Sequence, residues 1–488
     1  MDDLMLSEVE SIVGSKNISR DPDDLESYSK DLSFSPKRRP DAVVWPSKSE
    51  DIQKIVKWAN KIKMPLIPVS TGGPRLRGNT VPQIGGVIVD LSRMNKIIRI
   101  NKRNRVMMVE PGVTFEQVQP ELEKEGLRLI TPMKPRKGKS VLGSVLEREP
   151  CIAPRYQWDI CDPLCCMEVI FGTGEMLRTG EASGPLGVEA QWNIGGAQKF
   201  PHGPHQLDYH RLVQGAQGTM GIATWASIKC EILPTLTELN FIPSDDLESL
   251  FAFSYAIVSK TLGEEFFIAN SATLASLAGE SADEIQSLKE TLPPFVAVHC
   301  INGMERRAEE RVEYQLKDML DIAQNNGLVP VKRLDGLGSG KMLNIINSFS
   351  GDVYWKHTYK GGCQEIFFVT TLDRSPKYIK VMYSVAERAG YPVNDIGLYI
   401  QPIVQGTSCH VEFQLPYNPE DTDETQKVKL LAADAVKVLI KEGAFFTRPY
   451  PAWAHDVYQG RADMVRSLRK IKSIFDPNNI MNPGKLCF

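Results

Sequence analysis

A chain of 488 residues with 57 basic and 60 acidic side chains has a formal net charge of −3, so nothing electrostatic points to nucleic acid as a partner. Hydrophobic residues at 42% and charged residues at 24% exclude wholesale disorder, collagen-like repeats and a long coiled coil. At roughly 150 residues per domain, the length predicts two or three domains.

The opening MDDLMLSEVESIVG reads as a helix without the basic and apolar regions of a secretory signal. No apolar run approaches the ~20 residues of a membrane-spanning helix. Nine scattered cysteines read as reduced thiols of a cytoplasmic protein. After a polar lead-in to about Ser35, residues 41–46 (DAVVWP) form a strand. Ser47 and Glu50 form a capping box for a helix carrying Ile52, Ile55, Val56, Ala59 and Ile62. Strands follow at 64–69 and 85–91, with a glycine-rich loop between them. RVMMVEPGV is a further strand; Thr114 and Gln117 cap a helix with Phe115, Val118 and Leu122, which Gly126 stops. CCMEVIFGTGEMLRTGE is a hairpin, and residues 218–234 are a turn and a long strand. From about 236 to 435, amphipathic helices near 244–261, 304–325, 375–389 and 423–441 alternate with strands such as EIFFVTTL and GLYIQPIV. This order predicts helices on one antiparallel sheet. A charged helix and a turn-rich tail end the chain, and that tail needs something to dock on.

The first chemical signal is the loop Ser70-Thr71-Gly72-Gly73-Pro74-Arg75-Leu76-Arg77-Gly78-Asn79. It is either a phosphate cradle of exposed backbone N–H groups or an ordinary turn, and it is not the Rossmann fingerprint. Gly336–Lys341 lacks the first glycine and the final Ser or Thr of a P-loop.

The pieces PLIPVSTGGPRLRGN, VIVDLSRMNKI, VEPGVTFEQV, SVLGSVLER, MEVIFGTGEMLRTG, GTMGIAT and FDPNNIMNPGK occur in this order. Together they resemble the FAD-binding family of vanillyl-alcohol oxidase and p-cresol methylhydroxylase, over nearly the whole chain. D-2-hydroxy-acid dehydrogenases of the same superfamily share many of them. The resemblance implies an α+β fold: a two-part FAD-binding domain at 1–235 (subdomains about 1–100 and 101–235), a cap domain with an antiparallel sheet at 236–435, and a segment 436–488 that returns to the FAD domain. It implies that loop 70–79 binds the FAD pyrophosphate. Ser140, Gly143, Ser144, Thr219, Gly221 and Ile222 would line the rest of the cofactor, with Lys485 close by. The implied activity is hydride transfer from a hydroxyl-bearing carbon of an alcohol or hydroxy acid to flavin N5. The alternatives are oxidation of a para-substituted phenol, or a non-catalytic subunit on the same fold. Partners would be a small-molecule substrate and an electron acceptor, in relatives that are often dimers.

Asp159, eight residues before Met167, matches the family's acid beside flavin N5 and would take the substrate's hydroxyl proton; Asp162 competes with it. Arg77 stands where phenol oxidases of the family place a Tyr. Phe445-Phe446-Thr447-Arg448 keeps the Arg of a Tyr-Arg pair and loses its Tyr. The two arginines either bind a carboxylate or lie on the surface. Lys134, Arg136, Lys137 and Lys139 replace the family's glycines, either as an outward basic patch or as an altered flavin site. His410 and Glu412 share one face of a strand, where relatives touch substrate or a metal. No metal is expected, either from His202 and His205 or from the thiols Cys151, Cys161, Cys165 and Cys166. The FAD is expected to be non-covalent.

Overall fold

The computed structural model describes residues 3–155, 163–204 and 209–488. Three sheets carry the chain. The first has the order Ile18–Ser19, Ala42–Val44, Val87–Asp90, Leu66–Val69, its last three strands parallel. Parallel pairing needs a crossover, which the helix Ser49–Ile62 supplies. That helix buries Ile52, Ile55, Val56 and Ala59 against the sheet, as their spacing predicts. Its capping differs from expectation: the Ser47 hydroxyl donates to Asp51 at 2.9 Å, and no side chain caps the helix's N-terminus. Asp51 is buried and reaches Ser47, displacing Glu50 from the reciprocal role.

The second sheet is antiparallel, in the order Ile97–Asn101, Val106–Val109, Gly221–Lys229, Leu164–Phe171, Met176–Arg178. The predicted cap at Thr114 is present, its hydroxyl accepting from Gln117 N–H at 3.3 Å. Gly126 follows that helix at φ +68°, a conformation a Cβ would disfavour.

The third sheet has six antiparallel strands, in the order Leu236–Ser244, Phe295–Gly303, Phe266–Asn270, Gly397–Ile403, Ser408–Tyr417, Gly362–Thr370. Four long helices, Leu247–Ser259, Ala308–Asn325, Ser375–Arg388 and Thr422–Lys441, cover one face. Shorter helices, Ser271–Ala278, Ala282–Thr291 and Ser339–Ile346, pack on the other. The last begins inside the glycine-rich stretch that resembled a P-loop.

The tail docks, which answers its lack of internal structure. Leu66 N–H donates to Ile480 O at 2.7 Å and Asn482 N–H to Leu66 O at 2.8 Å, so the tail runs beside the edge strand. Asp476 accepts from the Ile480 and Met481 amides, and both side chains join the first sheet's core.

Candidate functional site

A cleft of about 1380 Å³, counting its open mouth, lies between the first two sheets and the six-stranded unit. The strand Leu66–Val69 delivers one wall, the loop from Ser70 to Thr80. Residues 132–149 form a second wall and residues 213–223 a third. Tyr354 closes one side, and Arg448 and Tyr450 enter from the returning chain.

Glycines in the lining allow its elements to pack closely. A Cβ on Gly143 would stand 3.0 Å from Ser70 Oγ, and one on Gly221 2.5 Å from the Ile170 carbonyl. Several lining groups have buried polar atoms with no partner among the described residues: Thr80 Oγ1, Gln217 Oε1 and Arg448 Nη1. Burying unpaired polar atoms is costly, so the cleft suits a large, polar ligand. A flavin dinucleotide, long and rich in polar atoms, suits this extended lining and its unpaired atoms.

Of the residues expected to hold the cofactor, Ser70, Thr71, Arg75, Asn79, Gly143, Gly221 and Ile222 line the cleft. Others stand behind it. Gly72 and Gly73 are exposed, and Arg136 donates to the Gly72 and Pro74 carbonyls. Gly78 faces away: its N–H donates to Asp31 at 2.5 Å, and a Cβ there would collide with Ser35. Its φ of +73° is the second reason for glycine. Lys485 is buried behind the loop, donating to the Gly78 and Val81 carbonyls at 2.7 Å each. Burial pushes its ammonium down to about 8. Ser140 caps the helix Val141–Leu146 through Gly143 N–H, Ser144 donates to Glu149 at 2.6 Å, and Thr219 Oγ1 donates to the Ala216 carbonyl. These three act on backbone and neighbouring side chains, and Gly78 and Lys485 fix the loop from its far side.

Arg77 is no open anion receptor. Its guanidinium reaches Glu149 at 2.8 Å, Glu147 at 3.3 Å and Glu365 at 3.3 Å. Three carboxylates already use its donors, which removes the expected carboxylate role. Burial works to raise the Glu149 carboxyl; Lys139 and Arg77, with the Ser144 hydroxyl, outweigh it and hold it well below the usual range. Lys356 continues the chain of charges, bonding Glu365 at 2.5 Å and also Glu412.

Arg448 differs. It is 5% exposed, its Nη1 has no partner among the described residues, and its guanidinium lies 4.1 Å over the Phe367 ring. Burial first, and repulsion from Arg77 second, lower its affinity for its proton. The surface position considered for Arg77 and Arg448 does not apply to either. Tyr450, two residues on, also lines the cleft, so a Tyr-Arg pairing survives in another order. Burial and the charge of Glu147 raise the Tyr450 hydroxyl, so it stays protonated as a donor.

His410 and Glu412 share a strand face, as alternation predicts. They sit behind the wall: neither lines the cleft. His410 Nε2 stands 3.5 Å from Glu412, and burial pushes the imidazole down to about 4. Glu412 is held low because Lys356 and His410 outweigh its burial, which makes it a poor proton acceptor.

The basic run is mostly not an outward patch. Arg136 and Lys139 are buried and line the cleft, and Lys139 pairs with Glu147 at 2.7 Å. Lys134 donates to the Leu277 carbonyl; Lys137 faces outward to Asp352. Arg75, Arg77, Arg136, Lys139 and Arg448 line the cleft with Glu147 and Glu149, while Glu365 and Glu412 behind the wall share Lys356. The residues not anticipated from sequence are Glu147, Glu149, Tyr354, Lys356, Glu365 and Tyr450. Only Tyr450 had a local signal, its place beside Arg448.

Asp159, Asp162, Cys161 and His205 lie outside the described residues. Cys151, Cys165 and Cys166 are buried. Among the described residues, no group of three or more His, Cys, Asp or Glu could hold a metal ion, and no helix is long and apolar enough to cross a membrane.

Comparison with known proteins agrees with this geometry. Residues 40–180 match the family described as FAD binding domain, and residues 457–486 match FAD linked oxidases, C-terminal domain. The chain is 25% identical to D-2-hydroxyglutarate dehydrogenase of Stutzerimonas stutzeri, covering 99% of each chain. It is 24% identical to the flavoprotein subunit of 4-cresol dehydrogenase [hydroxylating] of Pseudomonas putida, over 97% of this chain and 93% of that one. The crystal structure of p-cresol methylhydroxylase with substrate bound superposes with a TM-score of 0.84 at 22% identity, covering 100% of this chain and 96% of that one.

Proposed function

We propose that this chain, a member of the FAD-linked oxidase and dehydrogenase family, oxidises a small hydroxy acid or alcohol carrying an anionic group. It is an FAD-dependent oxidoreductase, and the flavin supplies the hydride acceptor. In this reading residues 1–235 and 436–488 hold the cofactor and 236–435 close over it.

One observation carries the substrate assignment: Arg448 Nη1 is buried in the cleft wall with no partner among the described residues. A carboxylate there would gain charge-assisted hydrogen bonds and would offset part of the positive charge that lines the cleft. Tyr450 would donate to the same anion. Arg77 would act indirectly, tying Glu147 and Glu149 to Glu365 so that the wall keeps its shape. Glu149, Glu365 and Glu412 are held below the usual carboxylate range by their cationic partners, which makes them poor acceptors of a hydroxyl proton. That step is assigned to Asp159, which precedes Met167 at the spacing of the family's acid. D-2-hydroxyglutarate and D-lactate, substrates named for relatives, are the first compounds to try.

A second reading is favoured by Tyr354 and Tyr450, which add two protonated phenol side chains to the cleft that Arg448 lines. Such a wall would also hold the oxygen of a para-substituted phenol, the compound class named for other relatives.

Purified protein should show a flavin absorbance band, and acid precipitation should release the flavin, since no His or Cys lines the cleft among the described residues. Anaerobic mixing with D-2-hydroxyglutarate or D-lactate should bleach that band. Bleaching by 4-alkylphenols and not by hydroxy acids would select the second reading; colourless protein that takes up no FAD would reject both. The cytoplasmic location belongs to this proposal and is tested by fractionation, as the homodimer is by sedimentation.

A further inference from the structure

Lys356 is 7% exposed, and its ammonium bonds Glu365 Oε1 and Glu412 Oε1 together. The Trp355 and Tyr354 rings lie 5.2 and 5.7 Å from it. Each carboxylate has other partners: Glu365 reaches Arg77 at 3.3 Å, while Glu412 accepts from Gln414 at 2.8 Å and stands 3.5 Å from His410. One ammonium thus satisfies two buried anions at once. Without it, Glu365 keeps Arg77, and Glu412 is left without a cation. Arg448 is buried, has no partner for Nη1 among the described residues, and stacks on Phe367, the residue opposite Glu412 on the neighbouring strand. A buried carboxylate and a buried guanidinium left without partners gain most by pairing with each other.

We propose that Lys356 is a positioning residue for anion binding: by holding Glu412 it keeps that carboxylate off Arg448 and leaves the guanidinium open to the substrate. This rests on reading Arg448 as the substrate's anion anchor. Lys356 does not line the cleft, so it acts through its neighbours.

The groups around Glu412 define the expected pH behaviour. Lys356 and Tyr354 face it from the turn before the edge strand, Glu365 and Cys363 from that strand, Tyr399 from the strand on its other side, and His410 from its own. Arg448 faces it from the returning chain. With His410 neutral, Lys356 and Arg448 are the cations of this set. Removing Lys356 exposes Glu412 to repulsion from Glu365, which makes it easier to protonate. Ionised Glu412 then competes for Arg448, and protonated Glu412 does not.

The test is titration of the FAD-loaded protein with oxalate, a carboxylate that cannot donate hydride, read by the flavin spectrum from pH 5 to 9. Lys356→Met should weaken oxalate binding about tenfold or more at pH 8, with recovery as the pH falls; the unsubstituted protein should show no such recovery. Lys356→Met/Glu412→Gln removes a buried cation and anion together and should restore the affinity at pH 8. That double variant carries the test if the single one does not fold. Unchanged affinity in Lys356→Met, or a tenfold loss in the double variant, overturns the proposal. If Arg448→Met weakens oxalate binding and Lys356→Met does not, this inference alone fails. If Arg448→Met has no effect, the anchor reading fails with it.

Discussion

The Arg448 guanidinium lies 4.1 Å over the centre of the Phe367 ring, with Nη1 unpartnered. A desolvated cation over an aromatic face gains roughly 2 kcal/mol or somewhat less, which offsets part of the cost of burying it. The ring therefore stabilises the free cation without occupying its donors. Phe367→Leu keeps an apolar side chain and loses the quadrupole. It should weaken binding of an anionic substrate or of oxalate by about 1–2 kcal/mol, while Phe367→Tyr should not. Calorimetric titration of both variants checks this. Equal losses would mean the ring acts by packing.

Arg77 binds the cleft's acids, so its loss should appear first in stability. Arg77→Ala leaves Glu147, Glu149 and Glu365 short of a partner in a poorly hydrated wall. Breaking such a buried network by one member costs about 3–5 kcal/mol. Glu149 and Glu365 titrate below their unfolded range, partly because of Arg77. The stability they provide is present above pH ~4.5 and is lost as the pH falls below it. The deficit of the variant should therefore be full at pH 7 and smaller near pH 4. Denaturant unfolding at both values measures it; a deficit independent of pH would assign the loss to packing.

Gly78 separates a folding role from a cofactor role. Its amide is committed to Asp31, its carbonyl to Lys485, and a Cβ would enter the space of Ser35. Gly78→Ala should lower Tm whether or not FAD is bound. Adding Ser35→Gly should recover part of the loss and leave the strain of the positive φ. If Gly78→Ala instead melts like the parent and fails only to take up FAD, the glycine serves the cofactor directly.

The extent to which sequence was legible follows the distance between partners. Thr114 and Gln117, or His410 and Glu412, are close in the chain, and helix or strand periodicity puts them where expected. The Gly-rich loop was found because its composition is local, and the family order of motifs located the remaining walls. What composition concealed were ion pairs made across the fold. Arg77 meets Glu365 from 288 residues away, and nothing near Arg77 announces that its donors are already used. Arg136 and Lys139 were visible as a charge run. Their burial depends on the carbonyls of 72–74 and on Glu147, which only the folded chain brings to them. Tyr450 was overlooked because the family order put the Tyr before the Arg.

Buried histidines give this protein a predictable acid limit. Burial pushes His299, His357 and His410 each down to about 4. His299 has the simplest surroundings: Nε2 donates to the Leu262 carbonyl at 3.0 Å, and Nδ1 has no partner among the described residues. Protonation would add a buried N–H with no acceptor. In the unfolded chain the same ring takes its proton near pH 6.5. Between pH 6.5 and 4 the unfolded state therefore binds more protons, and stability falls as the pH falls through that window. Above 6.5 both states are neutral and the contribution is flat. The integrated cost for His299 approaches ~3 kcal/mol at pH 4. Carboxylates held low add their losses only below about 4.5, while Glu264, raised by burial, works in the opposite sense above it, so in the range from 6.5 to 5 His299 is isolated by comparing a variant with the parent. His299→Gln keeps a donor for Leu262 and cannot titrate. Its unfolding free energy should depend on pH less steeply in that range, by up to one proton. A slope identical to the parent's would show that His299 takes up its proton in both states alike, and would leave His357 and His410 to account for the acid limit.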